Sequence, residues 1–207
     1  MVCCNRRVRD DAARHSVKLR GPPCTSQAVS ASSAIARSSP SIFMATSTNG
    51  VCPFCPAAQR VYLESPRWVL LRHVDPVPIA GWMMVASRAH RSGLDEMTPE
   101  EAGEIGTILA ALAAAVRRTT GCERTYSITF NEAVKHLHLH VIPRHANDPT
   151  TTSWALADRY RSTARGEVAA ADPQVAETTA EAIARHIMDV GVARSAALAQ
   201  VGFRVPS

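Results

Sequence analysis

Apolar residues over 59–64 and 67–72 fall in two short runs on either side of Ser65-Pro66, a pattern that predicts two strands joined as a hairpin. After the turn-rich Asp75-Pro76-Val77-Pro78, the continuous run over 82–86 predicts a buried strand. From Thr98 the period becomes helical. Ile105, Ile108, Leu109, Leu112 and Val116 make one stripe; Thr98 can cap the helix, Pro99 suits its first position, Glu101 completes a capping box and Gly121 ends it. Residues 125–130 and 137–142 predict two more strands with a short connection. Helices are predicted over 152–164 and 173–190, the second with Val175, Ile183, Ile187 and Val190 as its buried stripe. This order predicts an α+β domain, a mainly antiparallel sheet covered by helices.

The first 50 residues break the pattern. They are rich in Ser, Arg, Ala and Pro, with no sustained hydrophobic period, and are expected to be a disordered extension. A mitochondrial or plastid transit peptide is one reading, and an extension upstream of a start at Met44 is the other. Asp10 and Asp11 fit a transit peptide poorly. The expected organisation is an extension over 1–50, a domain over 51–145 and a helical C-terminal extension over 146–207. Residues 1–43 hold seven basic and two acidic side chains, a net of +5, which equals the net charge of the whole chain. Residues 44–207 are therefore formally neutral, and no nucleic-acid partner is expected. The longest apolar run, 108–116, has nine residues, too few for a membrane span. Six cysteines, three of them before residue 25, do not form the dense framework of a small secreted domain. A reducing compartment, the cytoplasm, is expected; a transit peptide implies a mitochondrion or plastid instead.

The candidate chemistry lies in His136-Leu137-His138-Leu139-His140-Val141-Ile142. On a strand, alternate side chains share a face, so the three imidazoles line one side and Leu137, Leu139 and Val141 the other. Three readings compete: a solvated polar face, a metal site, or a catalytic row. One ion shared by all three is difficult, because the outer pair lie about 13 Å apart on an extended strand.

His-x-His-x-His followed by two apolar residues resembles the defining motif of the histidine-triad (HIT) family of nucleotide hydrolases and transferases. Asn131, Asp75, the Gly81-Trp82-Met83-Met84-Val85 strand and the helix from Thr98 follow the order of that family, over roughly 51–145. The resemblance implies a HIT-like fold, commonly dimeric, so a homodimer is expected. It implies His138 as the nucleophile that attacks phosphorus and forms a nucleotidyl-histidine, with His140 bonding the phosphate or the bridging atom. Asn131 and Asp75 then belong near the nucleoside, Asp75 toward the ribose hydroxyls. The substrates implied are dinucleoside polyphosphates or nucleoside phosphoramidates. The chemistry suits a neutral imidazole, whose ordinary pKa is about 6.5. Two departures stand out: Trp82 replaces a fourth histidine that many members carry, and Glu132-Ala133-Val134-Lys135 replaces a Gly/Ser/Gln-containing phosphate loop. Lys135 is the remaining charge there that can hold phosphate.

Cys52-Pro53-Phe54-Cys55 has the spacing of a zinc knuckle, of a redox pair, or of two ordinary buried cysteines. The resemblance favours zinc. Some HIT branches hold a structural ion with such a pair and two distant histidines, which correspond to His90 and the first of the triad, His136. One zinc per chain, on Cys52, Cys55, His90 and His136, is the expectation. His73, His145 and His186 are expected on the surface. The rival readings are a metallohydrolase with a catalytic ion on the histidine cluster, and a nucleotide-binding regulatory module with little catalysis.

Because residues 1–43 carry the net charge and no periodic pattern, their deletion is expected to leave fold and activity intact. Thermal unfolding of the truncated chain checks this; a large fall in Tm means the stretch packs on the domain.

Overall fold

The computed structural model describes Cys52, Phe54, Cys55 and residues 59–207; the extension expected over 1–50 lies outside the described residues. Five strands form one antiparallel sheet in the order β1-β2-β3-β5-β4: β1 (Val61–Glu64), β2 (Trp68–Arg72), β3 (Met83–Ser87), β4 (Arg124–Ile128) and β5 (His138–Arg144). The helices are α1 (Pro99–Thr120), α2 (Ser153–Ala164), α3 (Pro173–His186), the single turn α4 (Val192–Arg194) and α5 (Ala196–Val201). The expected α+β class is the observed one.

Alternation along the strands sorts the side chains into two layers. Leu70, Met83, Val85, Leu139 and Val141 enter the main core with Ile105, Ile108, Leu112 and Val116 of α1 and with residues of α3 and α5. Each fully buried Leu or Ile contributes roughly 1.5–3 kcal/mol here. The α1 ends form as the sequence dictates: Thr98 Oγ1 accepts from Glu101 N at 3.2 Å, Glu101 Oε2 accepts from Thr98 N at 2.8 Å, and Gly121 takes φ 67°.

The opposite face carries the histidines. There Trp82, Ile79, Ile142 and Leu156 form a second cluster, with Tyr126, Ile128 and Tyr160 packed against it. Helix α2 thus covers this side of the sheet. Strand β5 lies between β3 and β4, with Ala86 opposite His138 and both Met84 and Ile128 opposite His140. The β3 ladder holds the backbone of His138 and His140, and His140 is paired with β4 as well.

Three expectations need correction. The triad strand begins at His138, and not one residue before it, because His136 N bonds to Val134 O in a bend and Leu137 N bonds to Arg91 O. The C-terminal stripe runs through Ala176, Ala180, Ile183, Ala184 and Ile187, and Val175 is half exposed. Alanine lets α3 approach α1 closely, so the large residue beside it is not the one buried. Regular helix also ends at His186, and a wider π-helical turn over Ile187–Gly191 moves Val190 off that stripe.

Candidate active site and metal centre

Each triad histidine has one ring nitrogen committed to the protein. His136 Nε2 lies 2.7 Å from the Ser87 carbonyl, so Nε2–H donates and Nδ1 keeps its lone pair. His138 Nδ1 lies 2.6 Å from the His136 carbonyl, so Nδ1–H donates and Nε2 keeps its lone pair. For His140 the partner is a donor: Trp82 Nε1–H lies 3.0 Å from His140 Nδ1.

The His136 lone pair faces two thiols, with Cys52 Sγ at 3.3 Å and Cys55 Sγ at 3.6 Å; Cys55 Sγ is also 3.2 Å from His90 Nδ1. Both cysteines are free, and the four ligand atoms all lie within 4.8 Å of one another. Tetrahedral zinc with S and N ligands spaces its donor atoms roughly 3.3–3.8 Å apart. These donors fit such an ion, and the Ser87 carbonyl fixes the ring tautomer that a metal needs. The sequence therefore named a group of residues that the fold brings together: Cys52, Cys55, His90 and His136 form a potential metal site.

His138 is 9% exposed, and the Phe54 ring stacks on it at 4.9 Å between centroids. A stack covers the face of the ring and leaves the in-plane Nε2 lone pair open. Burial holds the His136 and His138 pKa values below the ordinary imidazole value. Burial, with His138 and His73 nearby, pushes His140 down to about 3. The imidazoles of His138 and His140 meet edge to face at 5.0 Å.

Asn131 adopts φ 50°, a left-handed geometry that Asn tolerates. Its Oδ1 accepts from Thr129 Oγ1 at 3.1 Å and His138 N at 3.4 Å, and its Nδ2 donates to Ser92 O at 3.2 Å. In this structure it braces the start of β5. Asp75 is exposed and paired with Arg72, whose Nη1 and Nη2 donate to Oδ1 and Oδ2 at 3.1 and 2.9 Å; it makes no hydrogen bond to the triad. Arg72 also bonds Glu177 of α3 at 3.0 Å. Lys135 is exposed on the turn before His136.

His73 corrects the expectation of a surface residue. It is 5% exposed, its Nδ1–H donates to Val74 O at 2.7 Å, and its ring lies 4.7 Å from Trp82, 5.5 Å from Tyr160 and 5.8 Å from His140. Burial pushes it down to about 4. It also borders a hollow of about 260 Å³ shared with Arg60, Arg72 and Asp75. The periodicity of β2 ends at Arg72, so only the distant Tyr160 reveals that His73 is covered. His145 and His186 are partly buried.

Residues 57–147 match the family model described as HIT domain. Among solved structures, a hypothetical histidine triad nucleotide-binding protein from Sulfolobus tokodaii aligns with TM-score 0.50 at 14% identity, covering 67% of this chain and 93% of that one. A Hit-like protein involved in cell-cycle regulation from Bartonella henselae gives TM-score 0.48 at 16% identity, with 64% and 91% covered. A Zn-bound histidine triad family protein from Mycobacterium smegmatis gives 0.47 at 19% identity, with 73% and 95% covered. No protein of curated function matches this chain. Among the described residues no helix is long and apolar enough to cross a membrane.

The buried neutral histidines make stability depend on pH. His73 and His140 have folded pKa values of about 4 and about 3, below the unfolded value near 6.5. The unfolded chain therefore binds more protons, and stability present above pH 6.5 is lost as pH falls toward 4. Each group costs up to about 1.4 kcal/mol per pH unit in that window, so the pair is expected to remove on the order of 2–4 kcal/mol between pH 7 and 5. Urea unfolding with chelator present, which removes metal loss from the comparison, checks this; equal stability at both pH values contradicts it.

Proposed function

Starting from a chain that carries a HIT domain over residues 57–147, we propose that it is a nucleotide hydrolase or nucleotidyl transferase acting through a covalent intermediate on His138. The superfamily is one of nucleotide-binding hydrolases and transferases. The observation that carries the proposal is the 2.6 Å bond from His138 Nδ1–H to the His136 carbonyl. It leaves Nε2 as the lone pair, on a ring kept neutral by burial, and a neutral imidazole nitrogen is the nucleophile this chemistry requires. Attack on phosphorus forms a P–N bond and expels the leaving group; water then opens that bond and frees the nucleotide. His140 presents Nε2–H as a donor to charge on the leaving side. Lys135 supplies a point charge near phosphate, and Asp75 and Asn131 lie toward the nucleoside. Asp75 must exchange its Arg72 contact for the ribose to take that role.

We assign one structural zinc per chain to Cys52, Cys55, His90 and His136. Such an ion would tie the Cys52–Cys55 turn to His136, two residues before the start of β5, and so hold His138 in register. No chemical step passes through it. Cys52→Ser is expected to lose the metal and lower Tm, with activity falling as a consequence. Elemental analysis that finds no metal in protein purified without chelator rejects the site.

His138→Ala is expected to abolish turnover while zinc content and nucleotide binding stay near wild type. His140→Ala is expected to cost less, roughly 2.7–4 kcal/mol of barrier, as loss of a donor to developing charge does. Wild-type enzyme quenched with substrate in alkaline denaturant, where the P–N bond survives, and peptide-mapped by mass spectrometry should carry a nucleotidyl group on His138. Robust turnover by His138→Ala sinks the assignment. Metal lost together with activity in that variant points to a catalytic ion, and binding without turnover in the wild type points to a regulatory module.

A further inference from the structure

We propose that Trp82 sets the leaving-group preference of the site by holding His140 as a neutral hydrogen-bond donor, so that the domain cleaves phosphoanhydrides in preference to phosphoramidates. The inference rests on the nucleotidyl-histidine reading above. An indole N–H only donates, and that of Trp82 lies 3.0 Å from His140 Nδ1. Nδ1 therefore presents its lone pair, and the single ring proton sits on Nε2. A second proton, on Nδ1, sets two N–H groups against each other and leaves the Trp82 N–H without its acceptor; Trp82 is 5% exposed, so that donor has little water to turn to.

The surroundings of His140 offer an imidazolium no compensation. His138 faces it along β5 at 5.0 Å, His73 from the segment after β2 at 5.8 Å, and Trp82 edge-on at 5.8 Å. Tyr160 of α2 packs behind His73 and Trp82 at 5.5 and 5.9 Å. Across the ladders the neighbours are Met84 on β3 and Ile128 on β4. Among the described residues no carboxylate hydrogen-bonds His140.

The two substrate classes differ in what they demand of this group. When His138 Nε2 attacks phosphorus, a P–N bond forms and the bond to the leaving group breaks, its electron pair going to the departing atom. A nucleotide or polyphosphate departs as an oxyanion whose conjugate acid has a pKa of about 6. A hydrogen bond from His140 Nε2–H suffices, and no proton changes hands. An amine departs with its pair on nitrogen, and its ammonium form has a pKa of about 10, so it must receive a proton in the act of leaving. His140 sits on the leaving side and can give that proton only as an imidazolium, the state Trp82 opposes. In the second step water attacks phosphorus, the pair of the P–N bond returns to His138 Nε2, and the proton of water passes to solvent.

The test takes the full chain and measures kcat/KM on a dinucleoside tetraphosphate and on a nucleoside phosphoramidate of an alkyl amine. It covers the wild type, Trp82→Phe and Trp82→His. Nitrogen-15 NMR of the histidine rings in the wild type, with His140 assigned through His140→Gln, reads the tautomer directly. The expected result is a neutral Nε2–H ring at His140 down to pH 5. The anhydride should be favoured by roughly 10²-fold or more, the scale of general acid catalysis, with that ratio narrowing about tenfold in at least one variant. An Nδ1–H tautomer or an imidazolium near pH 7 overturns the proposal. So does wild-type turnover of the two substrates within about tenfold of each other, or a ratio unchanged in both variants. If the wild type turns over neither substrate while the ring shows Nε2–H, the hydrolase reading fails and the preference falls with it, and the Trp82–His140 bond stands.

Discussion

An imidazole has two nitrogens and, when neutral, one proton, so whatever fixes one nitrogen decides what the other does. The triad puts that constraint to three uses along five residues. A carbonyl on Nε2 of His136 leaves a lone pair on Nδ1, facing thiols. A carbonyl on Nδ1 of His138 leaves a lone pair on Nε2. An N–H donor at Nδ1 of His140 leaves a proton on Nε2. Identical side chains become a metal-type ligand, a nucleophile-type base and a donor without any change of residue. The division holds only while the rings stay neutral, because a cation presents two donors and erases the difference.

Neutrality is supplied by packing. The face of the sheet that carries the histidines is not open: α2 brings Leu156 and Tyr160 against Trp82, Ile79 and Ile142. Phe54 stacks on His138 from the cysteine turn. Desolvation then leads the causes that lower the pKa of His73, His136, His138 and His140. The other face, where α1, α3 and α5 pack on Leu139 and Val141, fixes the strand on which two of the rings ride. The sheet thus separates the two tasks: one layer holds position, the other sets protonation.

Much of this was legible in the chain. The alternation from His138 to Ile142, the capped helix ending at Gly121 and the spacing Cys52–Cys55 each rest on local periodicity or on a motif, and each appears where expected. What escaped depends on partners far away in sequence. His73 looked like a surface residue because the covering ring, Tyr160, lies 87 positions later, beyond the match to the family model. The bend that takes His136 out of the strand is made by backbone bonds to Val134 and Arg91, which no side-chain pattern encodes. The stripe of α3 was misplaced because small residues carry it: Ala176 and Ala180 bury where Val175 does not. The amide of Asn131 also bonds Thr129, His138 and Ser92, a bracing use that residue identity alone does not show.

Trp82 and the C-terminal extension make more sense together than apart. An indole at that position needs apolar cover for its rings and an acceptor for its N–H. Tyr160 and Leu156, both on α2, supply part of the first, and His140 Nδ1 supplies the second. Without α2 the rings of His73, Trp82 and His140 lie nearer to water, where an imidazolium is less costly and the donor–acceptor pair competes with solvent. Helix α2 lies outside the 57–147 match, so part of the cover over Trp82 and His73 comes from residues beyond that match. Trp82, just before β3, thus meets α2 with its rings and His140 Nδ1 with its N–H.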